Sequence, residues 1–354
     1  MCLTQPALSM IHEIDPLSDP RWSEFVDRHP SGSVFHTAPW LELLSATYAY
    51  KPAVLTTTGP HGDLLNGIVF CRVQSRLTGN RLVSLPFSDH CEPLVDNPDD
   101  LQRLSGGLAA LAKLEKCRYV ELRPLSPLKN TQPGFQGGAS FYLHRLDLRL
   151  GAKEIFRRLH RDCIQRKIRR AQKEHLEVKG GRDAELLRDF YLMVVRTRRR
   201  QGLPPQPKAW FRNILHCMRD SAVILVAYKD AAPIGGILTL QRGKVLYYKY
   251  GASQSEFHSM GAMPYLLWTA IESGIDRGLE QLDMGRSERE NVGLVAFKER
   301  WGAERSELTY WRSPAAAVSP VSNGAWGRMA RRVCGHIPEK CLAIIGGHSY
   351  RHVG

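Results

Sequence analysis

The sequence predicts an α/β protein of two domains, each a mixed sheet flanked by helices, the second better formed than the first. Three observations carry that prediction. Strand-like runs rich in β-branched and aromatic residues follow one another at Val223–Tyr228, Ile234–Leu240 and Val245–Tyr250. A glycine-containing loop and an amphipathic helix then lead to another apolar run, Leu279–Met284, so strands and helices alternate. The 354 residues, 43% hydrophobic and 24% charged, suffice for two ordinary cores. The expected plan is a disordered start at 1–9, a first domain at 10–150, a second domain with the site at 151–313, and a linker with a basic amphipathic tail at 314–354.

The first residues carry neither the basic n-region nor the apolar core of a secretory signal. Asp19 caps and Pro20 enters the first turn of a helix within 16–30, where Trp22, Phe25 and Val26 share a face. Thr37 opens a second helix that turns Trp40, Leu43 and Leu44 inward. Strands at 52–58, 64–73 and 81–85 are punctuated by GPHG and LTGN turns. Ser88, Asp89 and His90 lie between Pro86 and Pro93, where stiff backbone excludes helix. They read as one wall of a substrate pocket or as a turn whose side chains bond their own backbone. Leu101, Leu104, Leu108, Leu111 and Leu114 mark one side of a helix over 99–115. Strands at 118–123 and 140–148 flank a Pro- and Gly-rich loop.

From Gly151 onward, Ile155, Phe156, Leu159, Cys163, Ile164 and Ile168 suit one face of a helix. Arg157, Arg158, Arg161, Arg166, Lys167, Arg169, Arg170 and Lys173 crowd the other face. A second helix, 183–200, ends in Arg196, Arg198, Arg199 and Arg200, which also suit the helix dipole. Arg166, Lys167, Arg169 and Arg170 are candidates for phosphate contact, with a solvated basic surface as the alternative. A Pro-broken connection leads to a helix carrying Trp210, Phe211, Ile214 and Leu215. Gly235-Gly236 predicts close backbone approach inside a strand. Tyr248 and Tyr250 alternate on one strand face, to line a cleft or to pack in the core. The loop holding Gly261 precedes a helix, an arrangement that can offer backbone N–H groups to an anion.

A net charge of +14 and a pI near 9.5 favour polyanions: RNA, nucleotide-linked substrates, polyphosphate cofactors or an anionic membrane face. Eight scattered cysteines with no CxxC pair argue against a zinc site or a disulfide framework and for reduced thiols in the cytoplasm. No window is apolar enough to span a membrane. There is no Ser-His-Asp pattern, HExxH, Walker loop or GxGxxG after a strand, so hydrolase, metalloprotease, kinase and dehydrogenase readings lack support, and no metal site is expected.

One stretch remains: Leu282 to Gly302, LDMGRSERENVGLVAFKERWG. An apolar strand breaks at Gly285, and Arg286, Ser287, Glu288 and Arg289 follow at what would be a cleft edge or a solvated turn. A helix with Phe297, Lys298 and Trp301 comes next, closed by Gly302. Asp283-Met284-Gly285-Arg286-Ser287 with Phe297-Lys298-Glu299-Arg300-Trp301-Gly302 resembles the paired signature of the FemAB-like aminoacyl and acyl transferases, which have GNAT-type folds. Met284 stands where an aromatic is usual. The Trp40 helix and Leu85-Pro86-Phe87-Ser88-Asp89 resemble further elements of that family, and the order of elements in the second half resembles a GNAT domain. The closest look is to members associated with exopolysaccharide and PEP-CTERM loci.

The resemblance implies tandem GNAT-like domains, the first degenerate. It implies transfer of an acyl or aminoacyl group from an activated donor to an amine or hydroxyl of a small-molecule or lipid-linked cell-envelope or polysaccharide precursor. No cofactor would be tightly bound; the donor would be aminoacyl-tRNA or acyl-CoA. Lys298 would neutralise the developing oxyanion or the leaving ribose oxygen, Arg286 would clamp a phosphate or carboxylate, and Asp283 would orient Arg286 or act as base. Ser287, Phe297, Trp301, Tyr248 and Tyr250, with Ser88, Asp89 and His90, would line the substrate site. His258-Ser259-Met260-Gly261-Ala262-Met263 departs from the usual acyl-CoA loop, which weighs toward aminoacyl-tRNA. Two other readings stay open: an acyl-CoA-dependent N-acetyltransferase, and a non-catalytic protein binding a polyanion or a membrane surface. The place implied is the cytoplasm, with peripheral contact at the inner face of the membrane.

Overall fold

The computed structural model describes residues 11–128, 134–314 and 334–352. The expected disorder at 1–9 and most of the linker after Pro314 lie outside the described residues. The chain forms two compact units: the described residues of Met1–Phe141, Leu308–Ser319 and Ser349–Gly354 make the first, and those of Tyr142–Glu307 and Pro320–His348 the second. The last strand, read by sequence as second-domain, therefore gives its part from Leu308 to the first unit.

In the first unit, α1 (Pro20–Arg28) is capped by Asp19, whose side chain accepts from Arg21 N, and buries Trp22, Phe25 and Val26. The second helix, α2 (Ala38–Tyr48), buries Trp40, Leu43 and Leu44; Thr37 sits at its N-cap but sends its hydroxyl back to Val34 O instead of capping. Strands β1 (His12–Ile14), β2 (Lys51–Thr56), β3 (Ile68–Val73) and β4 (Arg81–Val83) run antiparallel in sequence, and β1 escaped the sequence reading because it is only three residues long. Helix α3 (Pro98–Leu114) then crosses over to β5 (Tyr119–Leu122), which pairs parallel with β4. Leu104 and Leu108 of α3 are fully buried, whereas Leu114, expected on the same face, is 80% exposed because it ends the helix beyond the sheet.

The second unit begins within β6 (Gln136–Asp147). The single helix expected after Gly151 is two: α4 (Gly151–Arg158) and α5 (Arg166–Lys173), separated by a π-helical turn at Arg161–Gln165. Leu159 breaks the run with an extended backbone, and His160 N donates to Arg300 O. Ile155, Leu159, Ile164 and Ile168 still bury together, so the apolar spacing identified the buried face though not the break. Next come β7 (Glu177–Gly181), α6 (Ala184–Arg200), α7 (Lys208–Met218), β8 (Ala222–Lys229), β9 (Ala232–Arg242) and β10 (Val245–Ser253). The strands β7 to β10 are successively antiparallel. Gly236 lies against Phe190 and Met193, where a Cβ would come within 2.9 Å of both, the close approach its strand predicted.

Helix α8 (Ala262–Asp276) crosses over to β11 (Gln281–Glu288), which pairs parallel with β10. After α9 (Val292–Glu299), β12 (Glu304–Ser313) returns to the first unit and pairs antiparallel with β5. Both units therefore share one plan: antiparallel strands, then a single parallel pair joined by a helix. The tail helix α10 (Glu339–Ser349) docks within the second unit, where Glu339 lies 3.7 Å from Arg196 and 3.9 Å from Arg199, and Gly346 packs on the Pro205 backbone. No helix among the described residues is long and apolar enough to cross a membrane.

Candidate active site

The parallel pair of the second unit opens. Pairing of β10 with β11 is registered at Val245–Gln281, Leu246–Leu282 and Tyr247–Asp283 and then stops. Two backbone irregularities sit at that point. In β10 the register to β9 shifts between Tyr248 and Tyr250, leaving Lys249 as an extra residue. In β11 the strand runs on through Gly285, which adopts φ +68°. The sequence predicted a strand end at Gly285; the strand instead continues to Glu288, and the glycine supplies a kink that an L-residue would adopt only with strain.

Lys298 braces the kink. It is 2% exposed, and its Nζ donates to Gly285 O at 2.7 Å and to Arg286 O at 3.0 Å. Asp283 works on the same corner: its Oδ1 accepts from Gly285 N at 2.7 Å, and its Oδ2 lies 3.5 Å from Arg145 Nε. The carboxylate thus holds the turn and pairs with an arginine of β6 that sequence reasoning did not single out. Arg286 is half-buried on the strand just past the kink.

Other expected site residues fall differently. The β10 bulge sends Tyr248 and Tyr250 to opposite faces, correcting the expectation that they share one. Tyr248 packs on the core cluster beside Met263 and Gly251, and burial pushes its phenol up to about 12. Tyr250 accepts from Trp210 Nε1 at 2.8 Å and meets Phe211 edge-on. Trp301 is wholly buried and touches Phe297 edge-on at 6.3 Å, so it packs α9 into the core and presents no surface to a substrate. Ser287 is 1% exposed, and its Oγ has no hydrogen-bond partner among the described residues.

His144 of β6 is the residue the sequence reading missed. It is fully buried, and both ring nitrogens lack partners among the described residues. Burial, with the charge of Lys298 adding, lowers its pKa to about 4, so the ring is neutral at pH 7. A lone histidine in a strand of mixed composition leaves no pattern to read.

In the first unit, Ser88, Asp89 and His90 form a tight turn. Ser88 Oγ donates to Leu85 O at 2.7 Å, Asp89 O accepts from Tyr310 Oη at 2.7 Å, and His90 is buried edge-on against Phe35. Leu85 and Phe87 both have positive φ, at 60° and 62°. Arg123 holds them there, donating to Leu85 O and Ser88 O, and Glu121 bridges Arg123 and Arg312. Ser88 thus bonds backbone within its own turn.

The basic helices are partly self-compensated. Glu154 pairs with Arg157 and Arg158, Asp162 with Arg166 at 3.7 Å, and Glu174 with Arg170 at 2.6 Å, while Arg169 stacks over Phe156. Gly261 starts α8 at φ +78°, and a Cβ there would lie 2.2 Å from Lys167 O. The backbone of α5 therefore packs closely on Gly261, beside the helix start where the sequence expected an anion. Among the described residues no group of side chains could hold a metal ion.

The sequence model of the acetyltransferase (GNAT) domain family matches residues 158–299, the span that contains the open strand pair and Lys298. Over that span the chain is similar to the GNAT domain family. Among curated proteins, lipid II:glycine glycyltransferase of Staphylococcus aureus is 28% identical over 95 residues, 25% of this chain and 23% of that protein. The chain thus matches less than a quarter of that relative's length. Among solved structures, FemX superposes with a TM-score of 0.67 at 18% identity, covering 84% of this chain and 96% of FemX. A tandem GNAT protein from the clavulanic acid pathway gives 0.53 at 12% identity, covering 87% and 100%. Both show the fold, and the fold is tandem GNAT. Of the FemAB-like segments, the second-unit pair frames the open strands, and Leu85–Asp89 is the strained turn of the first unit.

Proposed function

We propose that the chain transfers an aminoacyl group from aminoacyl-tRNA to an amine of a lipid-linked envelope precursor, at the opening between β10 and β11. The observation that carries this reading is the buried Lys298 holding the Gly285 kink where the two parallel strands part. The acceptor amine attacks the ester carbonyl, the C–N bond forms, and the carbonyl carries negative charge until the ester C–O bond breaks and the ribose hydroxyl leaves with a proton. A fixed positive charge beside that point, in a poorly hydrated corner, lowers the barrier. Lys298 does so through its charge and by holding the strand geometry, since its ammonium already binds two carbonyls. Arg286, next on the strand, is the proposed clamp for donor or acceptor phosphate.

Two features support aminoacyl-tRNA over acyl-CoA. The Lys167 carbonyl lies against Gly261 at the start of α8, and Pro264 lacks an N–H in that first turn. Both weaken the helix start as a pyrophosphate cradle. The acyl-CoA reading keeps one support, the acetyltransferase-type family match over residues 158–299. Incubating the protein with an amine-bearing lipid-linked precursor and either labelled aminoacyl-tRNA or labelled acetyl-CoA decides between them. Label reaching the lipid from tRNA alone is the expected result; label from acetyl-CoA alone would reverse the assignment. The proposed place of action is the cytoplasmic face of the membrane.

A further inference from the structure

The groove between α6 and α7 in the second unit lies outside every motif discussed above. Its volume is about 690 Å³. Lys208, Arg212 and His216 line it from α7, at positions i, i+4 and i+8, so they form one row on one helix face, spaced by about 6 Å per step at 1.5 Å rise per residue. All three are exposed, and none of their side chains makes an ion pair or hydrogen bond among the described residues. The opposite face of α7 buries Trp210, Phe211 and Ile214, so the row cannot rotate away. The carboxylate at the groove, Asp183, is already used: its Oδ1 accepts from Glu185 N at 3.0 Å and Leu186 N at 2.9 Å as the cap of α6.

The contrast with α4 and α5 is one of pairing. There Glu154, Asp162 and Glu174 answer several of the arginines. Helix α7 contains no acidic residue at all, and its two permanent cations stand unanswered. Leu187 and Leu215 form an apolar floor recessed below the cations. A helix that lies on a membrane carries its large apolar residues outermost. A groove with cations on the rim and an apolar floor instead suits a phosphodiester strand, its phosphates on the row and its sugars below.

We propose that this groove binds the phosphodiester backbone of the donor RNA. The proposal rests on the aminoacyl-tRNA reading and adds where the body of the donor is held. It moves the main phosphate contacts from Arg166 and Arg169 to Lys208 and Arg212.

The test measures binding of deacylated tRNA to the full chain across a salt titration, for wild type, K208A/R212A and R166A/R169A. Both variants place alanine on exposed helix positions, so folding is preserved, and circular dichroism checks it. Loss of two phosphate contacts should lower the slope of log K against log salt by about 1.5 and weaken binding by roughly tenfold or more at moderate salt. R166A/R169A should change the slope by less than half of that. Wild-type affinity and slope in K208A/R212A would overturn the groove assignment while leaving the donor reading intact. So would unchanged tRNA binding joined to lost binding of phosphatidylglycerol vesicles, which would make the groove a lipid surface. A wild-type protein that binds no tRNA even at low salt would remove the donor reading, and the groove proposal with it.

Discussion

The two units contain the same parallel pair and treat it in opposite ways. In the first, β4 and β5 register at Arg81–Tyr119, Leu82–Val120 and Val83–Glu121, and the space beyond is then filled. Ser84 N donates to Glu121 O, Arg123 N donates to Ser84 Oγ, and Cys91 N donates to Arg123 O. The Arg123 guanidinium seals the corner from inside, neutralised by Glu121. In the second, β10 and β11 also register over three residues, but a bulge at Lys249 and a kink at Gly285 part them. Each corner is held by one buried cation on two carbonyls, Arg123 or Lys298. Sealing makes a structural joint; parting makes room for a substrate. The fold alone does not say which unit reacts; this difference is what supports the proposed site in the second.

Lys298→Ala should break the open corner most severely. Removing the ammonium leaves two backbone carbonyls without their donor, at a cost of about 1–3 kcal/mol each where they stay buried. Transfer should fall by roughly two orders of magnitude with the loss of a preorganised charge. Because Lys298 is buried, the substitution lowers stability as well as activity. Urea unfolding alongside single-turnover transfer measures both effects.

The closed corner should respond differently to Glu121→Gln. The change leaves Arg123 and Arg312 with one shared counter-charge removed in a buried setting, a loss of about 3–5 kcal/mol. Below the variant's melting temperature, transfer should be nearly that of wild type. A transfer defect larger than the stability defect would mean that the first corner shapes the reaction too.

His144 sharpens the comparison through pH. Its folded pKa of about 4 lies below the unfolded value near 6.5, so the unfolded chain takes the proton first. Its contribution is complete above pH 6.5 and is lost as pH falls toward 4, by an amount on the order of 3 kcal/mol. The difference in urea stability between wild type and His144→Gln should therefore shift in favour of the variant over that range. A pH-independent difference would show that the ring is not buried neutral. The smallest effect belongs to Gly285→Ala, which must hold an L-residue near φ +68° at about 1–2 kcal/mol. It should also slow transfer if the kink positions Arg286, and assays at substrate saturation would separate kcat from KM.

Much of the fold was legible because period and punctuation agree. The strands β8 to β10 and the helices α1, α3, α6 and α8 read directly from apolar spacing, caps and glycines. The break between α4 and α5 did not, because a π-helical turn keeps the apolar residues on the buried side and so leaves the pattern intact. At the site, the charged stretch and the two motifs drew attention to Lys298, Asp283 and Gly285. The sequence could not show that Lys298 is buried, since one lysine after a phenylalanine looks the same inside or out. Nor could it show the Lys249 bulge, which turns Tyr248 from Tyr250, because a bulge adds one residue to a strand without a turn signal to mark it. Arg145 and His144 lie more than 130 positions from the motif they serve and were invisible to any local spacing.

The decisive measurement compares Lys298→Ala with Glu121→Gln in single-turnover transfer of labelled amino acid from tRNA to an amine-bearing lipid-linked precursor, both held well below their melting temperatures. Transfer lost in Lys298→Ala and retained in Glu121→Gln is the expected result and would locate the reaction at the open pair of the second unit. Transfer retained in Lys298→Ala and lost in Glu121→Gln would contradict it and move the reaction to the corner that the structure shows sealed.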